Sequence, residues 1–322
     1  MSSIKISIVI PFYNVEAYIS QCLDSVYNQD IPEDEYEVIC VNDASPDNSR
    51  EIVIEYQKKH SNLILIEHEV NRKLGAARNT GRAIAKGKYI WNVDSDDMIK
   101  PNILEKLINY CENFDLDILM FNFDHCYENK LKLNNSYPFI DSEVLNGIEF
   151  INQYCLNNFS EISPVWSQLY LKKFLDQNGI FSPLINIGED VPYTLKALLL
   201  AKRVKSVLDN CYVYRLNPLS LGGQFSKKVS AIDLYEKCII CSKEVYNLLQ
   251  FVPKKEKEIY ESYLLISKNI ISLIFQYKNN LNKDEKIKFR KLIRKKIFNN
   301  LYVFKLLNKR NILNYIELIL LK

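Results

Sequence analysis

Three aspartates stand within four positions in the segment YIWNVDSDDMIKP (89–101). Asp94, Asp96 and Asp97 follow an apolar run that has the character of a buried strand. Carboxylates this close repel each other, and partial burial also removes their hydration. A divalent cation would offset this cost, because hard oxygens suit Mg²⁺ or Mn²⁺ and magnesium often bridges a few carboxylates and substrate phosphates. The spacing therefore predicts a cation and phosphate site, with a capped surface turn as the alternative.

Strand-like and helix-like segments alternate through the first third of the chain. The predicted strands are at 4–11, 37–43, 63–68 and 88–94, with another at 117–127, and the predicted helices are around 15–27 and at 45–60, 74–87 (closed by Gly87) and 101–113. This alternation predicts an α/β fold with right-handed crossovers and a mostly parallel sheet. Ligands of such sheets bind beyond the carboxyl ends of the strands. Polar clusters lie at three of these ends, PFYN, NDASPD and DSDD, so we expect one binding edge there.

The middle and the end of the chain have less regular patterns. Helix-like stretches occur at 144–157, 165–177 and 189–201, and VKSVLDNCYVYRL (204–216) predicts a pair of strands. Beyond about residue 226 the pattern is helical. We therefore predict one α/β domain over residues 1–225 and a basic helical region over residues 226–322.

Several classes of nucleotide-binding and metal-binding protein are disfavoured by the motifs. The chain has no GxGxxG after its first strand and no GxxxxGK[ST], which argues against dinucleotide oxidoreductases and P-loop NTPases. Cys238 and Cys241 form one CxxC without a second pair or nearby histidines, so a structural helix is favoured over zinc. The eight cysteines are scattered, and MSSIKISIVIPFYN lacks the pattern of a signal peptide, so we expect reduced thiols and a cytoplasmic protein.

Several ordered segments resemble the family 2 inverting glycosyltransferases of the GT-A fold. They are SIVIPFYNVEAYISQCLDSVYNQ, VICVNDASPDNS and NRKLGAARNTGRAIAKGKYIWNVDSDD, followed by GEDVPYTLKALLLAKRV and YVYRLNPLS, and they lie within residues 4–225. The resemblance implies a GT-A domain with a C-terminal helical extension. It also implies a metal-dependent enzyme that transfers a hexosyl or N-acetylhexosaminyl group from a nucleotide-diphosphate donor, most often UDP in this family, to a hydroxyl group.

The resemblance implies a donor site at the strand ends. Its members would be Pro11, Phe12 and Tyr13 around the base and ribose, Asp43 on a base N–H such as that of uracil, Asn71 as a further base contact, Arg78 on the nucleotide or its phosphates, Asp94 and Ser95 beside the ribose and diphosphate, and Asp96, the second aspartate of the DxD motif, as the principal metal ligand. Asp97 would support Asp96. Judged from the residues alone, Asp43 could also cap a helix, and Arg78 could also serve a salt bridge.

Inversion requires a base that takes the proton of the acceptor hydroxyl. In this family the base is the aspartate of an ED pair, which Glu189 and Asp190 match, so Asp190 is the expected base. Acids that only begin a helix are the alternative, because the helix dipole favours them there. Glu189, Arg215 and Trp166 are further candidates for phosphate or acceptor contacts, although Trp166 could instead lie in the core.

Charge is unevenly distributed along the chain. Residues 251–322 contain 17 Lys and Arg against 6 Asp and Glu, whereas the first 250 residues contain 25 against 33. Ten basic residues and no acid lie between Lys286 and Arg310, interleaved with apolar residues. This pattern is typical of a solvated helix face or, as we expect, of an interfacial helix on anionic lipid, worth about 1 kcal/mol per basic residue. The protein would then lie peripherally on the inner face of the cell membrane, with no nucleic-acid partner, and would act on a glycan or polyprenyl-linked acceptor in surface polysaccharide synthesis.

Two other functions remain open from the sequence. A sugar nucleotidyltransferase would use a similar metal-dependent site, but it usually has a glycine-rich first loop, and PFYN is not one. A catalytically silent GT-A-like protein could bind a membrane or a protein partner without turnover. The intact DxD and ED motifs favour the glycosyltransferase.

Overall fold

The computed structural model describes residues 3–127, 130–132, 139–155, 164–184 and 188–216, with residues 244, 247–248 and 287 beyond them. The chain divides into two compact units, Met1–Gly223 and Gln224–Lys322. Nearly all the described residues belong to the first unit. The predicted boundary at residue 225 and the helical character of residues 226–322 therefore stay predictions, and Cys238 and Cys241 lie outside the described residues.

The described residues form an alternating series of strands and helices through the first half of the chain. The elements are β1 (Ile6–Phe12), α1 (Ile19–Tyr27), β2 (Tyr36–Asn42), α2 (Ser49–Lys59), β3 (Leu63–Glu67), α3 (Leu74–Ile84), β4 (Tyr89–Asn92), β5 (Met98–Ile99), α4 (Leu104–Asn113), β6 (Ile118–Tyr127), β7 (Lys130–Lys132), α5 (Gly147–Phe150), β8 (Gln168–Leu171), α6 (Lys172–Gln177), α7 (Asp190–Leu200) and β9 (Val204–Arg215). Short 3₁₀ segments cover Glu33–Glu35 and Val165–Ser167, and a π-helical turn covers Ile151–Cys155. The predicted α/β class is confirmed.

One mixed sheet contains all of these strands, in the order β3-β2-β1-β4-β8-β6-β9-β5, with β7 paired to β6. Strands β1 to β4 are mutually parallel wherever they pair, as the alternating pattern predicts. Strand β8 runs antiparallel to both β4 and β6, and β9 runs parallel to β6. The sheet therefore has a parallel half, β3-β2-β1-β4, and a mixed half, β8-β6-β9.

The apolar run of β1 is buried on both of its faces, which is typical of a central parallel strand. Its even-numbered residues belong to one core cluster with Leu23 of α1 and Leu107 of α4. On the other face, Val9 lies against α3, where a Cβ on Gly81 would come within 2.4 Å of Val9 Cγ1. Glycine at position 81 therefore lets α3 approach the strand closely.

The predicted helix at 165–177 is wrong in its first half. Residues 165–167 form a 3₁₀ turn and residues 168–171 form β8, so only Lys172–Gln177 is helical. The segment QLYL becomes a strand because it pairs with β4 on one side and β6 on the other. A short apolar run has no period that separates strand from helix.

Two other predictions differ from the structure. The pair of strands at 204–216 is one strand, β9, whose register against β6 shifts at Asn122. Residues 208–209 therefore form a bulge and not a turn. The helix at 144–157 is shorter, with an α-helical turn at Gly147–Phe150 followed by the π-helical turn.

Gly87 does not close α3, which ends at Ile84. Its N–H instead donates to Ser7 Oγ at 2.8 Å, and a Cβ at this position would lie 2.4 Å from the backbone nitrogen of Ser7. The glycine therefore permits a close backbone approach between the α3–β4 connection and β1. Within the described ranges, none of the helices has the length and apolar character needed to cross a bilayer.

Candidate active site

The carboxyl ends of β1, β2 and β4 meet at one edge of the sheet. Phe12 is in register with Asn42, and the N–H of Asp43 donates to the carbonyl of Phe12 at 2.9 Å. The N–H of Val93, just beyond β4, donates to the carbonyl of Val9. The three polar clusters expected to converge are therefore neighbours.

Asp43 is buried and organises the segment that leads into α3. Its Oδ1 accepts the N–H of Arg72 at 2.8 Å and lies 2.7 Å from Nδ1 of His68, while its Oδ2 accepts the N–H of Lys73 at 2.8 Å. Asn71 Oδ1 also accepts the Lys73 N–H, at 3.2 Å. A carboxylate has about four lone-pair sites, so Oδ2 of Asp43 retains capacity for one more donor. The sequence reasoning missed His68, although a histidine directly after the third strand was a usable signal.

The residues after β1 differ in their access to solvent. Pro11 and Phe12 are buried in the strand, whereas the side chain of Tyr13 is 47% exposed. Of these three predicted base and ribose contacts, Tyr13 is therefore the one that offers an open aromatic face at the edge.

The four residues of DSDD differ in their burial. Asp97 is 1% exposed and accepts hydrogen bonds from the Tyr212 hydroxyl at 2.8 Å and from the N–H of Arg215 at 2.7 Å. Burial, together with the charges of Asp96 and Asp94, raises the pKa of Asp97 well above its ordinary value. Ser95 is buried, whereas Asp94 and Asp96 are partly exposed. Asp97 therefore fastens the turn to β9.

Arg78 joins three carboxylates from two parts of the chain. Its guanidinium, on a side chain only 2% exposed, places Nη2 at 2.8 Å from Asp94 Oδ1 and Nη1 at 2.6 Å from Asp190 Oδ1. Nη1 also lies 3.4 Å from Glu189 Oε1. Although burial lowers the pKa of Arg78, these three carboxylates raise it well above its ordinary value. The structure thus brings the predicted base beside the DSDD turn, with a permanent positive charge between them.

The acids at the start of α7 have perturbed ionisation. Burial, followed by the charge of Asp190, raises the pKa of Glu189 to about 7. Burial also raises the pKa of Asp190, while Arg78 opposes this change. Asp190 Oδ2 accepts the N–H of Val165 at 3.4 Å. A carboxylate with a raised pKa at a ligand-binding edge is a candidate general base.

Arg215 and Trp166 both contact other residues of the chain. Arg215 Nε donates to the carbonyl of Asp96 at 2.8 Å, and its guanidinium lies over the ring of Tyr18. Trp166 is 6% exposed, stacks on Tyr212 at 4.5 Å between ring centroids, and belongs to the core cluster. Arg215 therefore braces the DSDD turn, and Trp166 occupies the core position that was its alternative.

A divalent cation at this edge would need ligands from both the protein and a bound diphosphate. Within the described residues, no three His, Cys, Asp or Glu side chains are arranged to hold a metal ion. Asp94 and Asp96 nevertheless place two hard carboxylates on one partly exposed turn. Magnesium typically takes one or two carboxylates and completes its shell with phosphates and water. The donor set therefore suits a cation that arrives with a diphosphate.

The sequence matches a model of a known protein family. The model described as "Glycosyl transferase family 2" matches residues 7–178, more than half of the chain. The chain belongs to glycosyltransferase family 2. The matched residues include Asp43, Arg78 and the DSDD turn, and they end before Glu189.

Two similar glycosyltransferases come from Bacillus species. The chain is 36% identical over 222 residues to "Uncharacterized glycosyltransferase EpsJ" of Bacillus subtilis, covering 67% of this chain and 62% of that protein. It is 37% identical over 215 residues to a "Poly(ribitol-phosphate) beta-glucosyltransferase" of Bacillus spizizenii, covering 65% of this chain and 32% of that one. The chain thus spans about a third to three fifths of the length of these family 2 relatives.

Solved structures of Staphylococcus aureus TarS share the fold. A crystal structure of Staphylococcus aureus TarS residues 1–349, in complex with UDP-GlcNAc, superposes with a TM-score of 0.68 at 24% sequence identity. The match covers 89% of this chain and 79% of the TarS chain. At this identity the likeness concerns the fold, and it confirms the predicted GT-A architecture.

Proposed function

We propose that this protein is an inverting glycosyltransferase that moves a sugar from a nucleotide-diphosphate donor, a UDP-sugar, to a hydroxyl of a glycan or lipid-linked glycan in surface polysaccharide synthesis. The observation that carries the proposal is the contact of Arg78 with both Asp94 and Asp190, because it sets a carboxylate base beside a carboxylate turn suited to a diphosphate. The UDP-GlcNAc in the TarS complex supports the donor class. The poly(ribitol-phosphate) glucosyltransferase relative supports transfer to a polymeric acceptor.

The donor base would lie over the carboxyl ends of β1 and β2. Tyr13 offers an exposed ring for stacking, and Pro11 and Phe12 shape the wall beneath it. The open lone pair on Asp43 Oδ2 would accept an N–H of the base, with Asn71 beside it. Asp94 and Ser95 would then border the ribose and the diphosphate.

Asp96 and Asp94 would hold Mn²⁺ or Mg²⁺ together with the donor diphosphate. Enzymes of this fold commonly use such a cation, and when bound it neutralises charge that develops on the leaving diphosphate. Asp97 would keep the turn in place through Tyr212 and Arg215. Arg215 would remain a brace of this turn, with its charge close to the leaving group.

Asp190 would act as the general base. Its carboxylate would take the proton of the acceptor hydroxyl while the hydroxyl oxygen bonds to the anomeric carbon, and the bond from that carbon to the diphosphate oxygen would break on the opposite face. Burial disfavours the charged form of Asp190, and Arg78 favours it. Arg78 would therefore serve mainly to keep the base ionised, and Glu189 would lie beside it with a pKa of about 7.

Release of UDP from UDP-sugars, with and without soluble oligosaccharide acceptors, tests this function. Wild type should release UDP, and Asp190→Asn should be slower by a factor of about 100 or more while binding the donor with similar affinity, because only proton transfer is lost. Glu55→Gln, an exposed acid on α2, is the control and should match wild type. Equal rates for Asp190→Asn and wild type would exclude Asp190 as the base. Donor binding without release by wild type would favour the catalytically silent alternative.

The membrane association expected of residues 286–310 stays a prediction. Apart from Ile287, this segment lies outside the described residues. The same holds for a cytoplasmic location on the inner face of the membrane and for a polyprenyl-linked acceptor.

A further inference from the structure

A buried histidine lies against the carboxylate that is expected to bind the donor base. Nδ1 of His68 is 2.7 Å from Oδ1 of Asp43, and Nε2 of His68 is 3.0 Å from the hydroxyl oxygen of Thr80. The side chains of His68 and Asp43 are only 4% and 5% exposed. Asp43 directly follows β2, His68 directly follows β3, and Thr80 lies on α3. The three side chains therefore form a chain of polar contacts from α3 to the edge where β1 and β2 end.

The partners of the imidazole decide where its protons lie. Asp43 accepts the N–H groups of Arg72 and Lys73, so its oxygens act as acceptors. An ionised carboxylate has no proton to give, and Nδ1 of His68 is therefore the donor in the contact with Asp43. In the neutral ring Nε2 is then an acceptor, and the Thr80 hydroxyl donates to it. Both ring nitrogens are thus engaged, which fixes the orientation of the ring.

The backbone of His68 is also fixed relative to Asp43. Its N–H donates to the carbonyl of Asn42 at 2.9 Å, which continues the pairing of β2 with β3 by one residue. Asn42 directly precedes Asp43 in the sequence. The imidazole and the carboxylate therefore extend from two paired backbone segments, and their separation is set by the sheet.

The contacts of Asp43 leave one acceptor site open. Oδ1 receives two donors, Nδ1 of His68 and the N–H of Arg72 at 2.8 Å. Among the described residues, Oδ2 receives only the N–H of Lys73, also at 2.8 Å. Since each carboxylate oxygen has about two lone-pair sites, the remaining site is on Oδ2. His68 thus occupies the site on Oδ1 that a ligand or water could otherwise use.

A single open acceptor at a fixed position distinguishes between nucleotide bases. Uracil, thymine and guanine each carry a ring N–H on the edge that forms base pairs, whereas the corresponding ring nitrogen of cytosine and adenine is an acceptor. Two acceptors that face each other leave both groups unpaired, and a site built to receive a donor therefore rejects a ligand that lacks it. This discrimination requires that the carboxylate of Asp43 keeps one orientation.

We propose that His68 is a positioning residue that holds Asp43 through Oδ1, confines the open acceptor to Oδ2 and so makes the donor site select a base with a ring N–H, uracil above cytosine. This inference rests on the proposed function, because it concerns the donor of the same site. A buried histidine that only ties the end of β3 to α3 would contribute to stability without distinguishing between bases.

Isothermal titration calorimetry on the full chain, with Mg²⁺ present, tests the role of His68. The ligands are UDP, CDP and N3-methyl-UDP, in which a methyl group replaces the ring N–H of uracil. Wild type should bind UDP about tenfold or more tightly than the other two. His68→Gln has an amide that reaches the position of Nε2 and not that of Nδ1, so it should weaken UDP about threefold to tenfold and leave CDP and N3-methyl-UDP within about twofold. His68→Asn, whose amide nitrogen lies near the position of Nδ1, should recover most of the lost affinity for UDP.

The matched control is His60→Gln. Nδ1 of His60 also lies 2.8 Å from a carboxylate oxygen, Oε1 of Glu33, but this pair lies near the start of β2, whereas Asp43 follows its end. The control should therefore bind all three nucleotides as wild type does. Equal weakening of UDP, CDP and N3-methyl-UDP by His68→Gln would overturn the inference, and so would unchanged binding of UDP. Absence of UDP binding by wild type would instead contradict the proposed function itself.

The ring nitrogens of wild type give a second test that does not depend on how the variants fold. The chain has three histidines, His60, His68 and His125, so labelling histidine with nitrogen-15 gives few NMR signals. His68 should carry a proton on Nδ1, and its signals should shift when UDP is added, because the base N–H then shares the same carboxylate. The signals of His60 should stay unchanged. A His68 ring whose only proton is on Nε2, or one that UDP leaves unshifted on binding, would overturn the inference.

Discussion

The three aspartates of DSDD differ in what surrounds them, and these surroundings set their roles. Asp94 forms an ion pair with Arg78, which also pairs with the acids of α7. Asp97 is buried and accepts hydrogen bonds from Tyr212 and Arg215. Asp96 remains at the partly exposed edge. The sequence predicts the cluster because the residues are adjacent. It does not predict which aspartate is buried, since the partners of Asp97, Tyr212 and Arg215, lie more than 100 positions away in the sequence.

Replacement of Glu189 by Gln should change how stability depends on pH. The pKa of Glu189 is raised from 4.5 to about 7, so the folded protein keeps a proton that the unfolded chain releases. This contribution to the free energy of unfolding is fully present below about pH 4.5 and is lost as the pH rises through about 7. Glu189→Gln removes this loss. The free energy of unfolding of the variant minus that of wild type should therefore rise by about 2 kcal/mol between about pH 5 and pH 8. Urea unfolding across this range measures it, and a pH-independent difference would contradict the raised pKa.

Helix α3 positions the site through one of its faces. Arg78 holds the carboxylates, and Arg82 donates to the carbonyl of Ile180 and stacks on Phe181. Between them, Asn79 pairs with the backbone of Ser182, donating to its carbonyl at 2.8 Å and accepting its N–H at 2.9 Å. The helix therefore fixes the stretch of chain that leads towards Glu189 and Asp190. The resemblance pointed to Arg78, whereas the role of Asn79 depends on a partner 103 positions away.

Asn79→Ala should destabilise the protein. The substitution removes two hydrogen bonds and leaves the N–H and carbonyl of Ser182 without them, at about 1 kcal/mol each. The expected loss in the free energy of unfolding is therefore about 2 kcal/mol, measured by urea denaturation. Asn113→Ala, at the exposed end of α4, is the control and should lie within about 0.5 kcal/mol of wild type. An Asn79→Ala variant as stable as this control would show that the amide does not hold the segment.

The strands were predictable where the local pattern was sufficient. Strands β1 to β4 are continuous apolar runs bounded by polar residues, so each is visible in its own sequence. Strand β8 was missed because QLYL is extended only through its pairing with β4 and β6. The bulge in β9 was missed for a similar reason, since LDN at 208–210 has the composition of a turn and the long strand depends on β6.

The residues proposed to take part in the reaction are distributed over both halves of the sheet. The residues expected to bind the nucleotide follow β1, β2 and β4 of the parallel half, and the acids of α7 lie between β8 and β9 of the mixed half in the sequence. Arg78, on α3, links the two halves, because it pairs with Asp94 after β4 and with Asp190 at the start of α7. The convergence of the strand ends followed from the βαβ pattern. The core position of Trp166 depends on its contacts with Phe123 of β6 and Tyr214 of β9, which the sequence pattern does not show.

The proposal that DSDD forms a cation-linked donor site can be tested by a thermal-shift screen. UDP-, GDP- and dTDP-sugars are each added with Mn²⁺, Mg²⁺ or EDTA to wild type, to Asp96→Ala and to Glu51→Ala, an exposed acid on α2 that serves as control. UDP-sugars with a cation should raise the Tm of wild type and of the control by about 3 °C or more, and EDTA or Asp96→Ala should abolish the rise. A rise that persists in EDTA and in Asp96→Ala would contradict the claim.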